Sequence, residues 1–200
     1  MIDSLRAKWD RASRTYDRAT CSDHFRFGAA KRHLFARMRG RCLMLATGTG
    51  TDFQHFPSGL HVTSIDISPG MLARARGRAL AYDGRLDLVR ADARTLPFAD
   101  GSFDTVAAVC TFCSVPDPVR GLRELRRVLK PEGRLLLFEH VRSRLAQLAI
   151  MQDLLTPLTR WFGPDMNRDT VGNAERAGFR ILREENVYLD LVKAIEAVPL

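Results

Sequence analysis

The sequence predicts an α/β protein built on one sheet of mostly parallel strands with helices on its faces. Three observations carry that prediction. Short apolar runs with strand composition alternate with stretches of helical periodicity, and a chain that alternates this way lays its strands in parallel and its helices as right-handed crossovers. A glycine turn, Thr47-Gly48-Thr49-Gly50, follows the first apolar run, and the second run ends on a carboxylate, Asp66. The 200 residues, 46% hydrophobic and 27% charged, suit one full-sized core better than two small ones.

Taken in order, Arg41 to Ala46 is a short apolar run that enters the glycine turn. His61 to Asp66 is rich in β-formers, and Ser68-Pro69 after it supplies a capping hydroxyl and a proline for the first turn of a helix. That helix places Met71, Leu72, Ala75 and Ala79 on one side. Arg85 to Arg90 reads as a third strand leading to Ala91-Asp92. Phe103 to Cys110 is almost uninterrupted in its apolar character, as a central strand covered on both faces should be. Asp117-Pro118 opens a helix with Leu122, Leu125, Val128 and Leu129 at helical spacing. Lys130-Pro131-Glu132-Gly133 predicts a sharp turn into a strand from Arg134 to Glu139.

Two segments flank this core. Residues 1–40 read as helical, with Ile2, Leu5, Trp9, Ala12 and Tyr16 forming one apolar stripe. Ser143 to Phe162 is amphipathic, with a break expected at Pro157. The tail predicts a helix over Thr170 to Ala177, a strand near Phe179 to Leu182 and a last strand within Val187 to Ala197. Neither a repeat nor a linker divides the chain, so residues 41–200 are expected to fold as one domain beneath a helical lid segment, residues 1–40.

Composition excludes several classes. No apolar run approaches the roughly 18 residues of a membrane span, and the first residues lack the apolar centre of a secretory signal, so a cytoplasmic setting is expected. Cys21, Cys42, Cys110 and Cys113 are scattered; Cys110 and Cys113 have the spacing of half a zinc site, but no second pair follows, so no metal is expected. Lys and Arg total 31 against 23 Asp and Glu, a net charge of +8, which favours an anionic partner. The excess is spread along helices without a consecutive basic run, and no base-stacking aromatic cluster accompanies it, so a nucleic-acid partner is not expected.

The chemistry gathers at the strand ends. Glycine in a strand-to-helix turn lets backbone N–H groups approach a ligand, and Gly48 and Gly50 are placed for that. A carboxylate at the end of the second strand, Asp66, is placed to accept hydrogen bonds from ribose hydroxyls at the carboxyl edge of such a sheet. With Asp92 after the third strand, the order of these features predicts a nucleoside site.

The turn Ala46-Thr47-Gly48-Thr49-Gly50-Thr51 is unlike the Gly-x-Gly-x-x-Gly of nicotinamide sites and resembles the first motif of class I methyltransferases, enzymes that use S-adenosylmethionine (SAM). The resemblance continues through Ile65 to Leu72, Ala91-Asp92-Ala93 and Leu96 to Asp104, and it is most specific at Leu122 to Gly133. Tyr16-Asp17 is similar to the ubiquinone/menaquinone-biosynthesis branch. Cys113-Ser114-Val115 and Phe138-Glu139-His140-Val141 are similar to thiol S-methyltransferase-like proteins and to small bacterial phospholipid methyltransferases. The resemblance implies a Rossmann-like sheet of seven strands, mostly parallel, with a final antiparallel hairpin.

It also implies roles. The turn residues Ala46, Thr47, Gly48 and Gly50 would line the methionine end of SAM, Asp66 would hold the ribose, and Asp92 with Ala93 would bracket the adenine, covered by Ile67 and Met71. Residues from Cys110 to Ser114 would face the sulfonium and the acceptor, with Tyr16 of the lid near the cofactor. The family's usual acidic residue and glycine are replaced here by Met44 and Ala46, which removes a polar contact near the methionine amino group; SAM binding is still expected. His140 is the best-placed general base for an acceptor that must lose a proton, with Glu139 either orienting it or facing solvent. His24, His33, His55 and His61 are expected to be structural or at the surface. The expected activity is methyl transfer to a small lipophilic acceptor; a phospholipid N-methyltransferase is the nearest alternative, and a non-catalytic SAM-binding module is the alternative of another class. The first helix, with Arg6, Lys8, Arg11, Arg14 and Arg18 around Trp9, reads as a lid over the cofactor and admits contact with an anionic membrane surface.

Overall fold

The computed structural model describes residues 2–162 and 165–200, without the side chains at 2, 3, 24 and 160–162; Ile2 and His24 fall outside the described side chains. Seven strands form one sheet, β1 (Arg41–Leu45), β2 (His61–Asp66), β3 (Arg85–Arg90), β4 (Phe103–Val109), β5 (Leu129–His140), β6 (Phe179–Tyr188) and β7 (Val192–Pro199), in the order β3-β2-β1-β4-β5-β7-β6. Six point the same way and β7 alone is reversed, pairing antiparallel with both β5 and β6. This is the Rossmann-like sheet with a final antiparallel hairpin that the sequence resemblance implies.

Strand order turns back between β1 and β4, which are neighbours in the sheet although β2 and β3 separate them in the chain. Crossovers leave in opposite directions there, and the carboxyl ends of β1 and β4 part to open a crevice. Among the described residues seven helices flank the sheet: α1 (Ile2–Ala12), α2 (Tyr16–Ala19), α3 (Asp23–Phe35), α4 (Pro69–Leu80), α5 (Pro118–Val128), α6 (Ala146–Phe162) and α7 (Thr170–Arg176). A short 3-10 turn, Thr51–His55, replaces a first crossover helix of full length.

The caps are where the sequence puts them. Ser68 Oγ accepts the Met71 N–H at 3.1 Å at the start of α4, and the Asp117 carboxylate accepts the Arg120 N–H at 3.0 Å at the start of α5. Each cap precedes a proline whose missing N–H would have been unpaired at that position anyway.

Alternation along the strands divides the core in two. Leu43, Leu45, Val106, Leu135 and Leu137 face α5 and α7, meeting Leu122, Leu125 and Ala174. Cys42, Met44, Ala107, Leu136 and Phe138 face the other way and meet Phe27, Leu34 and Phe35 of α3. Each of these large side chains contributes about 1.5–3 kcal/mol by leaving water, so α3 is bound to the sheet rather than laid over its edge.

Three expectations differ in detail. The Lys130 to Gly133 turn lies inside β5: pairing with β4 steps from Phe103↔Leu129 to Thr105↔Arg134, so the turn bulges out of a strand that has already begun. Helix α6 continues through Pro157; the ring sits on the exposed side, where water can take the hydrogen bond the proline cannot make. Strand β6 outruns its expected end because Arg183, Glu184 and Glu185 hide its periodicity, as charges on an edge strand do.

Candidate cofactor and acceptor site

At the crevice the chain leaves β1 in a conformation that side chains rarely adopt, with φ of 50° at Ala46, 55° at Gly48 and 81° at Gly50. This coiled turn aims the Gly48 N–H at the neighbouring strand. Asp66, buried at the end of β2, receives it on Oδ2 at 2.8 Å and accepts the Ser68 N–H on Oδ1, also at 2.8 Å. Each carboxylate oxygen keeps a second lone pair, so both remain able to accept from a ligand. Burial pushes the Asp66 carboxyl up to about 6, against the lowering effect of the Ser68, Gly48 and Ile67 N–H groups.

A cavity opens from this carboxylate, about 710 Å³ when the open space at its mouth is counted with it. One wall consists of Ala46, Gly48, Asp66, Ile67 and Met71, and it continues through Ala91, Asp92 and Ala93 after β3. A Cβ at Gly48 would be bounded only by Tyr16 Cε1 at 3.8 Å and Ala46 O at 3.9 Å, so the glycine leaves room beside the turn. The Asp92 carboxylate is held by the Arg94 backbone and guanidinium, at 2.9 Å to each; burial raises its pKa, but Arg94 keeps it below the usual carboxylate range. A buried carboxylate, an open glycine turn and an adjoining half-buried, largely apolar slot are chemically suited to the hydroxyls, the backbone-like polar end and the flat ring of SAM.

The opposite wall comes from Val109, Cys110, Thr111, Ser114 and Val115 after β4. Cys110 has φ of 48°, and its N–H is held by Phe138 O at 2.8 Å. Burial raises its thiol far above the ordinary value, with the Glu139 charge adding to the shift; the group stays protonated and is no nucleophile. Cys113 turns away from the cavity, its Sγ donating to Cys110 O at 3.2 Å. Among the described residues no group of three or more His, Cys, Asp or Glu is placed to hold a metal ion.

The roof is α1 with α2. Leu5, Trp9 and Tyr16 line the cavity, and the Trp9 and Tyr16 rings meet edge to face at 6.4 Å. Burial drives the Tyr16 hydroxyl well above its ordinary pKa. Two carboxylates fasten this roof. Asp10 Oδ1 accepts the Ser68 hydroxyl at 2.5 Å and the Gly70 N–H at 2.9 Å. Asp17 accepts the Thr49 hydroxyl at 2.5 Å and the Arg78 guanidinium at 3.0 Å. No motif marks Asp10 in the sequence; its only signal is its place one helical turn before Ser13 and Arg14, which is no signal of a latch.

Three residues expected in the site do not line the cavity. Thr47 points into the sheet and shares a hydrogen bond of 2.7 Å with Ser64 Oγ. Gly50 serves the turn, since a Cβ there would lie 2.7 Å from the Phe53 ring. His140, the last residue of β5, is largely buried, and its Nδ1 has no hydrogen-bond partner; burial lowers its pKa while the Asp23 charge raises it. Glu139 neither orients His140 nor meets solvent, because adjacent residues of a strand point to opposite faces. Its Oε1 accepts the Thr111 and Phe112 N–H groups at 2.7 and 3.1 Å, and burial pushes its carboxyl up to about 7. Sequence reading missed Glu139 in this role, and it missed the buried ion pair Lys31–Asp52 at 2.8 Å beside the site. Met44 is wholly buried in the apolar cluster under α3.

Residues 43–137 match the family model described as a methyltransferase domain. The chain is 42% identical over 139 residues to a demethylmenaquinone methyltransferase of Clavibacter sepedonicus, covering 66% of this chain and 56% of that protein's length. It is 34% identical to a thiol S-methyltransferase of Homo sapiens, covering 78% of this chain and 69% of that one, and 33% identical to a phosphatidylethanolamine N-methyltransferase of Cereibacter sphaeroides, covering 77% and 80%. Its fold is that of a SAM-dependent methyltransferase of Thermotoga maritima, with a TM-score of 0.75 at 20% identity over 98% of this chain and the whole of the other. Relatives of this identity and coverage, on this fold and with this crevice, place the chain in the SAM-dependent methyltransferase family, whose cofactor is S-adenosylmethionine.

Proposed function

We propose that the chain transfers the methyl group of SAM to a small lipophilic acceptor. One observation carries the reading: a single cavity joins the cofactor wall at Gly48, Asp66 and Asp92 to an apolar wall at Val109 and Val115, under a roof of Leu5, Trp9 and Tyr16. Bound SAM supplies an activated methyl group with its own leaving group, so the protein has only to position the partners and keep the site dry. Asp66 and the Gly48 turn hold the nucleoside end. The lid excludes water, and Asp10 and Asp17 keep it down. Glu139 fixes the Thr111 and Phe112 amides, and so the position of the acceptor wall. His140, the expected base, does not line this cavity and is given no step in the transfer.

The similarity to the phosphatidylethanolamine N-methyltransferase, together with the net charge of +8, favours a second reading in which the acceptor is a phospholipid amine. Titration calorimetry with SAM, followed by mass-spectrometric detection of the methylated product from a quinol, an alkyl thiol and phosphatidylethanolamine, tests both. Transfer to one of them is the expected result. Binding of SAM with no transfer to any would leave a non-catalytic SAM-binding module.

A further inference from the structure

Helix α6 is turned inside out. The side it presents to the protein is small and polar: Ala149, Gln152 and Thr156 are buried, and Gln152 bonds the Ser143 N–H, Val141 O and Met166 O at 2.7 to 2.8 Å. The side it presents outward is large and apolar. Ile150, Leu154 and Leu158, spaced by four, are 59, 75 and 62% exposed, and Leu145, Met151 and Leu155 widen the stripe. A water-facing helix normally shows the reverse pattern, and a contiguous apolar surface of this kind marks a contact site.

We propose that this face of α6 is a docking surface for an anionic lipid bilayer, on which the helix lies in the interfacial plane. Charge decides the occupant. The one acid on the outward side, Asp153, is paired with Arg142 at 2.8 Å, and Arg144, exposed just before the helix, is paired with Glu184 at 2.9 Å, so the apolar stripe carries no net negative charge. Helix α1 spends its apolar residues, Leu5 and Trp9, on the cavity, leaving Arg6, Arg11 and Arg14 exposed, and Lys8 beside them is near enough to Asp165, just beyond α6, to feel its charge. On a chain of net charge +8, an exposed apolar helix with cations near its end is what an anionic headgroup layer over hydrocarbon requires. No described helix is long and apolar enough to cross a membrane, and α6, about 25 Å long, fits a surface-lying role. Beyond α6 the Asp165 N–H bonds Cys113 O at 2.8 Å, which ties the docked element to the acceptor wall. The inference stands on the helix and not on the identity of the acceptor.

The test is sedimentation of the full chain with vesicles of equal parts phosphatidylcholine and phosphatidylglycerol, against vesicles of phosphatidylcholine alone. The chain should bind the anionic vesicles and release with added salt, and the triple variant Ile150→Gln, Leu154→Gln, Leu158→Gln should bind at least tenfold more weakly while keeping its circular dichroism and its affinity for SAM. The single variant Leu154→Gln should show the same direction if the triple variant misfolds. Equal binding of variant and wild type overturns the proposal, as does a wild-type chain that ignores anionic vesicles. A dimer in analytical ultracentrifugation that the variant abolishes, without vesicle binding, would assign the face to a second copy instead.

Discussion

Asp66 Oδ2 accepts the Gly48 N–H at 2.8 Å, so the carboxylate that ends β2 and the turn that follows β1 are one unit. A substitution at Asp66 therefore acts twice, on the ligand and on the shape of the turn. Asp66→Ala should weaken SAM by about 2–4 kcal/mol, the value of two hydrogen bonds to a charged group. Unchanged affinity in calorimetry would move the cofactor elsewhere.

The same carboxyl gives two opposed pH dependences. Its folded pKa of about 6 stands above the ordinary 3.8, so the folded chain holds that proton more tightly than the unfolded one. Its contribution to stability is complete below the unfolded value and is lost as pH rises through about 6. Affinity for SAM runs the other way, weakening as pH falls below about 6 and protonation removes an acceptor. Chemical denaturation and calorimetry across that range should show the two trends crossing, and Asp66→Asn should flatten both.

Asp10→Ala removes the acceptor for Ser68 and Gly70 at the lid while leaving the sheet intact. Turnover should fall by tenfold or more, with Trp9 fluorescence shifting to the red as the roof lifts. Deleting residues 1–18 should lower turnover in the same way, because every strand lies beyond them. Full activity in either protein would show that the roof is not needed to exclude water.

Ala46 holds φ at 50°, a conformation costing a non-glycine residue about 1–2 kcal/mol. Ala46→Gly relieves that cost but loses chain entropy of about 0.5–1 kcal/mol. Scanning calorimetry should show a small rise in melting temperature, with SAM binding equal or tighter. A clear fall would mean that the alanine methyl packs against something that outweighs the strain.

Met44→Glu, which restores the family's usual acid, should not strengthen SAM binding. Met44 is 1% exposed within an apolar cluster, so the new carboxylate would enter the core unpaired, at a cost of several kcal/mol. A stable variant with tighter SAM binding would show that the site has kept room for the acid.

The middle of the sheet was legible because β1, β2, β4 and the second half of β5 are buried on both faces and announce themselves as apolar runs. Gly48, Asp66, Asp92 and the two proline-capped helices could be placed from residue order alone, since each marks a chain reversal with a specific backbone demand. What could not be read were contacts made at long range by ordinary residues. Asp10 and Asp17 look like any acid on a surface helix, and only folding brings them to Ser68 and Thr49. Glu139 shows the same limit: a one-residue step along β5 exchanges faces, so its sequence neighbour His140 was a poor guide to its partner. The outward apolar side of α6 was visible as amphipathic character, but periodicity does not reveal which side faces in.

Both fastenings of the roof, Asp10 on Ser68 and Gly70 and Asp17 on Thr49 and Arg78, grip the cofactor wall. A cover held along one margin opens at the other. An acceptor entering by the free margin would leave those bonds intact, whereas cofactor exchange on the pinned side would break them, so a transferase built this way would take the nucleoside first and release it last.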